Sequence, residues 1–206
     1  MYNDKYGIYK FIDCHLGESV FSKNMLCFTF KHIEQIVLDS ELEKMKKDEL
    51  IIEALPGVFY NKIKVPFLDD FYIPSYSRIL ETYAAQNFWH ICKTVSYWLY
   101  FYRMDTQIPA RYEYLSTGPD KEVQIFGTKA FFKHTDEDIL KYGTKYTAGF
   151  YYLLEYLGEE YFQNPTDRER FIKNVKELGQ FWISKDDGSS KKYMKPWMVE
   201  IFEKIY

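Results

Sequence analysis

The order of apolar and polar residues in the first third of the chain predicts two short strands followed by a helix. Residues 6–14 and 20–30 are apolar enough for strands, and the second stretch contains the run Met-Leu-Cys-Phe-Thr-Phe, which is typical of a central strand. Residues 31–55 place apolar side chains at helical spacing opposite a charged face, and a Pro-Gly pair follows them. The next stretch, residues 58–74, is predicted to be irregular because it contains two prolines.

The most regular helical pattern covers residues 78–103. Apolar residues recur there every three or four positions, and the second half is apolar on nearly all sides. Ser75 or Ser77 is suited to cap the start of such a helix. We therefore expect this helix to lie at the centre of the fold.

A change to strict alternation follows the predicted helix. Residues 111–116 and 122–126 alternate apolar with polar positions and flank the sequence Thr-Gly-Pro-Asp, which predicts a β-hairpin. The last third returns to helical spacing, with helix starts predicted near Thr135, Thr166 and Pro196.

These elements predict an α+β fold. We expect a helix-rich single domain over residues 1–206, with a small, mostly antiparallel sheet and a long central helix around residues 78–103. The length of 206 residues suits one ordinary globular domain or two very small ones, and one domain is the simpler interpretation. The sequence contains no internal repeat and no low-complexity tract.

Composition excludes two classes of protein. Hydrophobic residues make up 47% of the chain and aromatic residues 20%, which is far too apolar for a disordered chain. The formal net charge of -3 excludes a basic coat for wrapping nucleic acid. The 20 tyrosines and 17 phenylalanines have two explanations, AT-rich codon usage or a large contact surface, because tyrosine is enriched where proteins meet.

The cysteines and the hydropathy pattern predict a cytoplasmic protein that does not enter the membrane. Three cysteines without a CxxC pair do not indicate a disulfide framework. The first residues lack the basic and apolar regions of a secretory signal. The longest apolar stretch, residues 95–102, is too short to cross a bilayer.

Known catalytic and metal-binding motifs are missing from the sequence. It contains no GxGxxG, GxxxxGK[ST], HExxH or GxSxG pattern. Cys14 and His15 are neighbours, but on a strand they point to opposite faces, so we expect no metal and no cofactor. His134 and Asp136 could form an acid–base pair, although carboxylates at that place also suit a helix start. The sequence therefore does not indicate an enzyme.

The clearest binding motif is a basic and aromatic segment, residues 191–197. Lys191, Lys192 and Lys195 could neutralise phosphate while Tyr193 stacks on a base. This segment supports one interpretation of function, an enzyme acting on a nucleotide or nucleic acid. The other interpretation of the same residues is a solvated loop followed by a C-terminal helix.

The absence of catalytic motifs and the aromatic excess favour a different function. We expect a small protein-binding module, such as an inhibitor or immunity-type protein of phage or mobile-element origin, which docks on a protein partner. Tyr100, Phe101 and Trp197 are the predicted contact residues. Homo-oligomerisation and a structural role in a larger assembly stay open.

Overall fold

The α+β class is confirmed by the computed structural model of this chain. The structure describes residues 3–17, 19–68, 70–178 and 189–205. Helices account for 52% of the structure and strands for 18%, with one small antiparallel sheet and one mixed sheet. The fold is therefore helix-rich, as the sequence predicts.

Two compact units divide the chain. The first comprises residues 1–89 with 123–128, and the second comprises residues 90–122 with 129–206. That residues 1–206 form one domain stays a prediction.

The first unit begins with short helices and continues into an antiparallel sheet. In chain order its elements are α1 (Ile8–Phe11), a π-helical turn (Ile12–Leu16), β1 (Val20–Ser22), α2 (Lys23–Thr29), α3 (Gln35–Lys47), β2 (Ile51–Leu55), β3 (Val58–Asn61) and α4 (Tyr76–Gln86). The three strands pair in the order β1–β3–β2. Ser22 Oγ caps α2 by accepting the backbone N–H of Met25 at 3.2 Å.

Three of the local predictions for this unit are wrong in whole or in part. The predicted strand over residues 6–14 is helical, and only the start of residues 20–30 is extended. The predicted helix over residues 31–55 ends at Lys47, because Glu49 takes a left-handed conformation with φ 56°. The β-branched residues that follow then form β2.

The prediction of a single long helix over residues 78–103 is also wrong. Helix α4 ends at Gln86, where the Asn87 side chain donates to the carbonyl of Tyr83 at 2.8 Å. Phe88 then takes φ 59°, a conformation in which a helix cannot continue. The apolar residues after Phe88 form a strand over 91–93 and a second helix over 95–101. The strand is extended because Cys92 pairs with Leu115 of another strand.

The second unit contains most of the helices and the mixed sheet. Its elements are β4 (Ile91–Lys93), α5 (Val95–Phe101), β5 (Tyr112–Ser116), β6 (Lys121–Ile125), β7 (Thr128–His134), α6 (Asp138–Tyr142), α7 (Lys145–Gln163), α8 (Pro165–Leu178), a 3₁₀ turn (Ser189–Tyr193) and α9 (Pro196–Ile205). Helix α7 is interrupted at Gly158, which has a φ of 74°. Residues 123–128, which comprise the end of β6, the turn and the first residue of β7, belong to the first unit.

The strands of the predicted hairpin form, but they do not pair with each other. The sheet order is β4–β5–β7–β6, with β5 and β7 parallel. Phe126 and Gly127 have φ of 46° and 85°, the left-handed values of a two-residue hairpin turn. This turn joins β6 to β7 instead, and β7 lies between β6 and β5.

Apolar side chains from α5, α7, α8 and α9 form the core of the second unit. Trp98 lies in this core and donates its Nε1 proton to the carbonyl of Lys93 at 2.9 Å. Phe150 packs between the rings of Phe171 and Phe202. This core holds α6 and the 3₁₀ turn next to each other, which is important for the second surface described below.

Candidate interaction surfaces

The loop after β3 exposes more large apolar side chains than any stretch of similar length in the described residues. We call residues 62–68 and 70–74 the apolar loop. Phe67 is fully exposed, Leu68 is 60% exposed, and Phe71 and Ile73 are 42% and 55% exposed. Four large apolar side chains thus face solvent within seven residues, whereas exposed apolar residues on a monomer are usually scattered singly.

Backbone hydrogen bonds brace the apolar loop as an irregular hairpin. The N–H of Val65 donates to the carbonyl of Asp70 at 2.9 Å, and the N–H of Tyr72 donates to the carbonyl of Ile63 at 2.8 Å. An antiparallel bridge between Lys64 and Phe71 lies between these two bonds. The apolar side chains are therefore presented on an ordered backbone.

The base and the tip of the apolar loop differ in chemistry. At the base, the Lys62 ammonium lies 4.6 Å from the centre of the Phe71 ring and also pairs with Glu49. The hydrogen bond from Lys62 lowers the pKa of the Glu49 carboxyl. At the tip, Phe67 has φ 67°, an uncommon conformation for a bulky residue that costs about 1 to 3 kcal/mol. Other exposed phenylalanines also have a positive φ, so the tip is distinguished by the full exposure of Phe67 and not by its φ value.

The three contact residues predicted from the sequence differ in exposure. Tyr100 on α5 is 40% exposed. Phe101 is half-buried, with its ring stacked on Tyr97 at 6.0 Å. Trp197 is also half-buried and packs on Phe162 at 5.6 Å. Of the three, Tyr100 has the largest exposed fraction.

The basic and aromatic segment is divided between the 3₁₀ turn and the start of α9. Lys191 pairs with Glu203 at 3.1 Å, and Lys195 pairs with Glu155 at 2.7 Å. Two of the three predicted phosphate-binding lysines therefore already have a carboxylate partner.

Lys192 and Tyr193 form a different arrangement in the same segment. Tyr193 stacks on Tyr142 of α6, with ring centres 5.7 Å apart and an angle of 11° between the planes. The Lys192 ammonium lies 4.9 Å from the centre of the Tyr193 ring and 5.9 Å from that of Tyr142. Tyr193 also lines an open groove of about 370 Å³ with residues 136–139.

The structure places His134 and Asp136 together, as the acid–base interpretation requires. The Nε2 atom of His134 is 3.1 Å from a carboxylate oxygen of Asp136, and its Nδ1 atom is 2.8 Å from the carbonyl oxygen of Gly118. Asp136 is 89% exposed at its side chain, so water surrounds this pair. A solvated pair of this kind lacks the enclosed surroundings that raise catalytic efficiency.

Buried titratable groups in the second unit are held in their neutral forms. Burial raises the pKa of the Cys92 thiol to about 12, and burial together with Glu155 raises the pKa of Tyr151 to about 12. Burial likewise raises the pKa of Tyr102 and of Tyr152. These side chains are therefore poor nucleophiles and bases near neutral pH.

No metal-binding cluster occurs within the described residues. No group of three or more His, Cys, Asp or Glu side chains there is arranged to hold a metal ion. Cys14 and His15 lie on the π-helical turn, and the His15 ring stacks on Phe11 at 4.9 Å.

Among the helices of the described residues, none combines the length and the apolar character needed to cross a bilayer.

The chain matched no family model, no curated protein and no solved structure in the three comparisons that were made.

Sequence reasoning missed the apolar loop and Tyr142. Residues 58–74 are correctly predicted to be largely irregular, apart from β3, but which of their side chains face solvent depends on the tertiary fold. One signal was available, since large apolar residues placed between two prolines have no regular element in which to be buried. Tyr142 carries no sequence signal, because its partner Tyr193 is distant along the chain.

Proposed function

We propose that this protein is a protein-binding module that docks on a partner through the apolar loop. The observation that carries the proposal is the exposure of four large apolar side chains, with Phe67 at the tip, on a hydrogen-bonded backbone. Interface hot spots are large side chains that enter pockets of a partner. A protruding tip requires a partner with a concave apolar surface.

The free energy gained on docking depends on how exposed the apolar side chains are and on how firmly hydrogen bonds hold the loop backbone. Full burial of a Phe or Leu side chain contributes about 1.5 to 3 kcal/mol. Phe67 and Leu68 are the most exposed members of the loop, so a partner would gain most from covering these two. The bonds between Val65 and Asp70 and between Tyr72 and Ile63 reduce the conformational entropy that binding would otherwise remove.

We also propose that this module is an inhibitor or immunity-type protein of phage or mobile-element origin. Inhibitors and immunity-type proteins of phages or mobile elements act by occupying a surface of a target protein, which requires a binding surface and no catalytic residues. A braced apolar tip and the absence of catalytic motifs from the sequence support this class. Tyr100 on α5 is proposed as a second contact because it is the most exposed of the predicted aromatic contacts.

Affinity capture from the source cell, with quantitative mass spectrometry, tests the proposal. We expect the wild-type chain to retain one partner in near-stoichiometric amount. The double variant Phe67→Ser, Leu68→Ser should retain about tenfold less of that partner, or even less. Phe28→Ser is the matched control, since Phe28 is 85% exposed on α2 of the same unit. Equal retention by all three chains would contradict docking through the apolar loop.

A further inference from the structure

A second surface, in the second unit, has the chemistry of a nucleotide-binding site. Tyr142 ends α6 and Tyr193 ends the 3₁₀ turn, and their rings stack almost parallel. Tyr142 is 64% exposed, so this pair offers a flat and supported aromatic surface to solvent. Proteins bind nucleobases by stacking them on such surfaces.

A positive charge lies beside the two rings. Lys192 is exposed, and within the described residues no carboxylate oxygen lies within 4.0 Å of its ammonium. Lys191 and Lys195, in contrast, each have a glutamate partner. Lys192 is therefore the lysine of this segment that is suited to pair with a phosphate group.

The groove next to Tyr193 limits which base fits. Three of its lining side chains are carboxylates, those of Asp136, Glu137 and Asp138, and the others are Ile139 and Tyr193. One oxygen of Asp136 lies 3.1 Å from His134 and one of Asp138 lies 3.9 Å from Lys141, which leaves Glu137 and the second oxygens of the two aspartates to accept from a ligand. Ionised carboxylates only accept hydrogen bonds. Guanine carries two adjacent N–H donors on its Watson–Crick edge, while adenine carries an acceptor beside its donor. The same negative charge disfavours phosphate inside the groove and leaves Lys192 as its partner.

The geometry points to a binding site for a guanine nucleotide at this surface. The base stacks on the Tyr142–Tyr193 pair, its donor edge faces the carboxylates of the groove, and its phosphate pairs with Lys192. This site involves no residue of the apolar loop and does not depend on docking to a protein.

Titration of the full chain with GMP, followed by calorimetry, tests the site. We expect saturable binding that Tyr142→Ala weakens by about tenfold or more, because one stacked base accounts for a change of that size. Tyr142→Phe keeps the aromatic surface and retains binding. Tyr156→Ala is the matched control, since Tyr156 is 67% exposed on α7, and it leaves binding unchanged.

Two further ligands separate the parts of the site. Lys192→Ala weakens GMP binding but not guanosine binding, and AMP binds about tenfold more weakly than GMP. The absence of saturable GMP binding at millimolar concentration would overturn the inference, as would equal affinity for AMP. Equal losses in Tyr142→Ala and Tyr156→Ala would also overturn it. Circular dichroism of each variant shows that any loss does not arise from unfolding.

Discussion

At the scale of single residues, Trp98 and Gly149 determine how closely α5 and α7 approach. A Cβ atom on Gly149 would overlap the indole ring of Trp98, which is buried in the core and held by its bond to Lys93. Any larger residue at position 149 must therefore displace the indole or separate the two helices. Helix propensity alone marks Gly149 as a weak point of the helix, and its close contact with Trp98 is set by tertiary packing.

Gly149→Ala is expected to destabilise the protein despite the helical position of the residue. The gain in helix propensity is about 1 kcal/mol, whereas overpacking costs about 1 to 3 kcal/mol and a rigid indole leaves little room to adjust. Urea denaturation measures the change in the free energy of unfolding. A second change, Trp98→Leu, should recover part of the loss in the double variant, and independent additive effects would speak against the clash.

Cys92 is expected to make the protein less stable in alkali. Burial raises the pKa of its thiol from the ordinary 9.0 to about 12. Between pH 9 and pH 12 only the unfolded chain releases the thiol proton. The free energy of unfolding is therefore unaffected by this thiol below pH 9 and falls by about 1.4 kcal/mol per pH unit as the pH rises toward 12. Denaturation at a series of pH values across this range should give a free energy of unfolding that falls less steeply with pH for Cys92→Ala than for the wild type. Identical slopes would show that the thiol is not protected.

At the scale of elements, the sequence predicts where several helices and strands lie better than it predicts their partners. The strands at residues 112–116 and 121–125 lie within one residue of their predicted ranges. Their pairing differs because the tight turn at Phe126 and Gly127 joins β6 to the next strand. Helical spacing over residues 78–103 is present in the sequence, but Asn87 and Phe88 end the helix locally.

The same distinction applies to the candidate surfaces. The basic and aromatic segment is visible in the sequence because its residues are consecutive. Its ion pairs with Glu155 and Glu203 and its stacking on Tyr142 are not visible, since they join residues distant along the chain. The sequence shows that the apolar loop is rich in large apolar residues, but it does not show that their side chains are exposed.

The start of α7 is expected to depend on one hydroxyl group. Thr144 Oγ1 accepts the backbone N–H of Thr147 at 3.1 Å and lies 2.9 Å from the hydroxyl of that buried residue. Thr144→Ala should lower the free energy of unfolding by about 1 kcal/mol, because the cap is lost. Thr144→Ser keeps the acceptor and should stay within about 0.5 kcal/mol of the wild type. A loss of equal size in both variants would mean that the methyl group, and not the hydrogen bond, stabilises the helix.

At the scale of the whole molecule, a low net charge coexists with an exposed apolar loop. The formal net charge is -3 and the isoelectric point is about 5.9. Charge repulsion between molecules is therefore weak near pH 6, where apolar contacts between chains are least opposed.

Self-association is expected to rise near pH 6 and to depend on the apolar loop. Light scattering of concentrated wild-type protein should show larger particles at pH 6 than at pH 8. The Phe67→Ser and Leu68→Ser double variant should show a smaller increase while keeping its melting temperature, since both side chains are exposed. A double variant that aggregates as much as the wild type would assign the effect to other surfaces.

The sheet order of the second unit has a consequence for synthesis on the ribosome. Strand β5 needs β7 as its parallel neighbour, and β6 leaves the ribosome before β7 does. During that interval β5 and β6 are adjacent in sequence, separated by a turn-forming stretch, and free to form the antiparallel hairpin that their alternation favours. Where that hairpin forms, it must open to admit β7 before the native sheet is complete, so we expect an exchange of strand partners to slow the folding of this sheet.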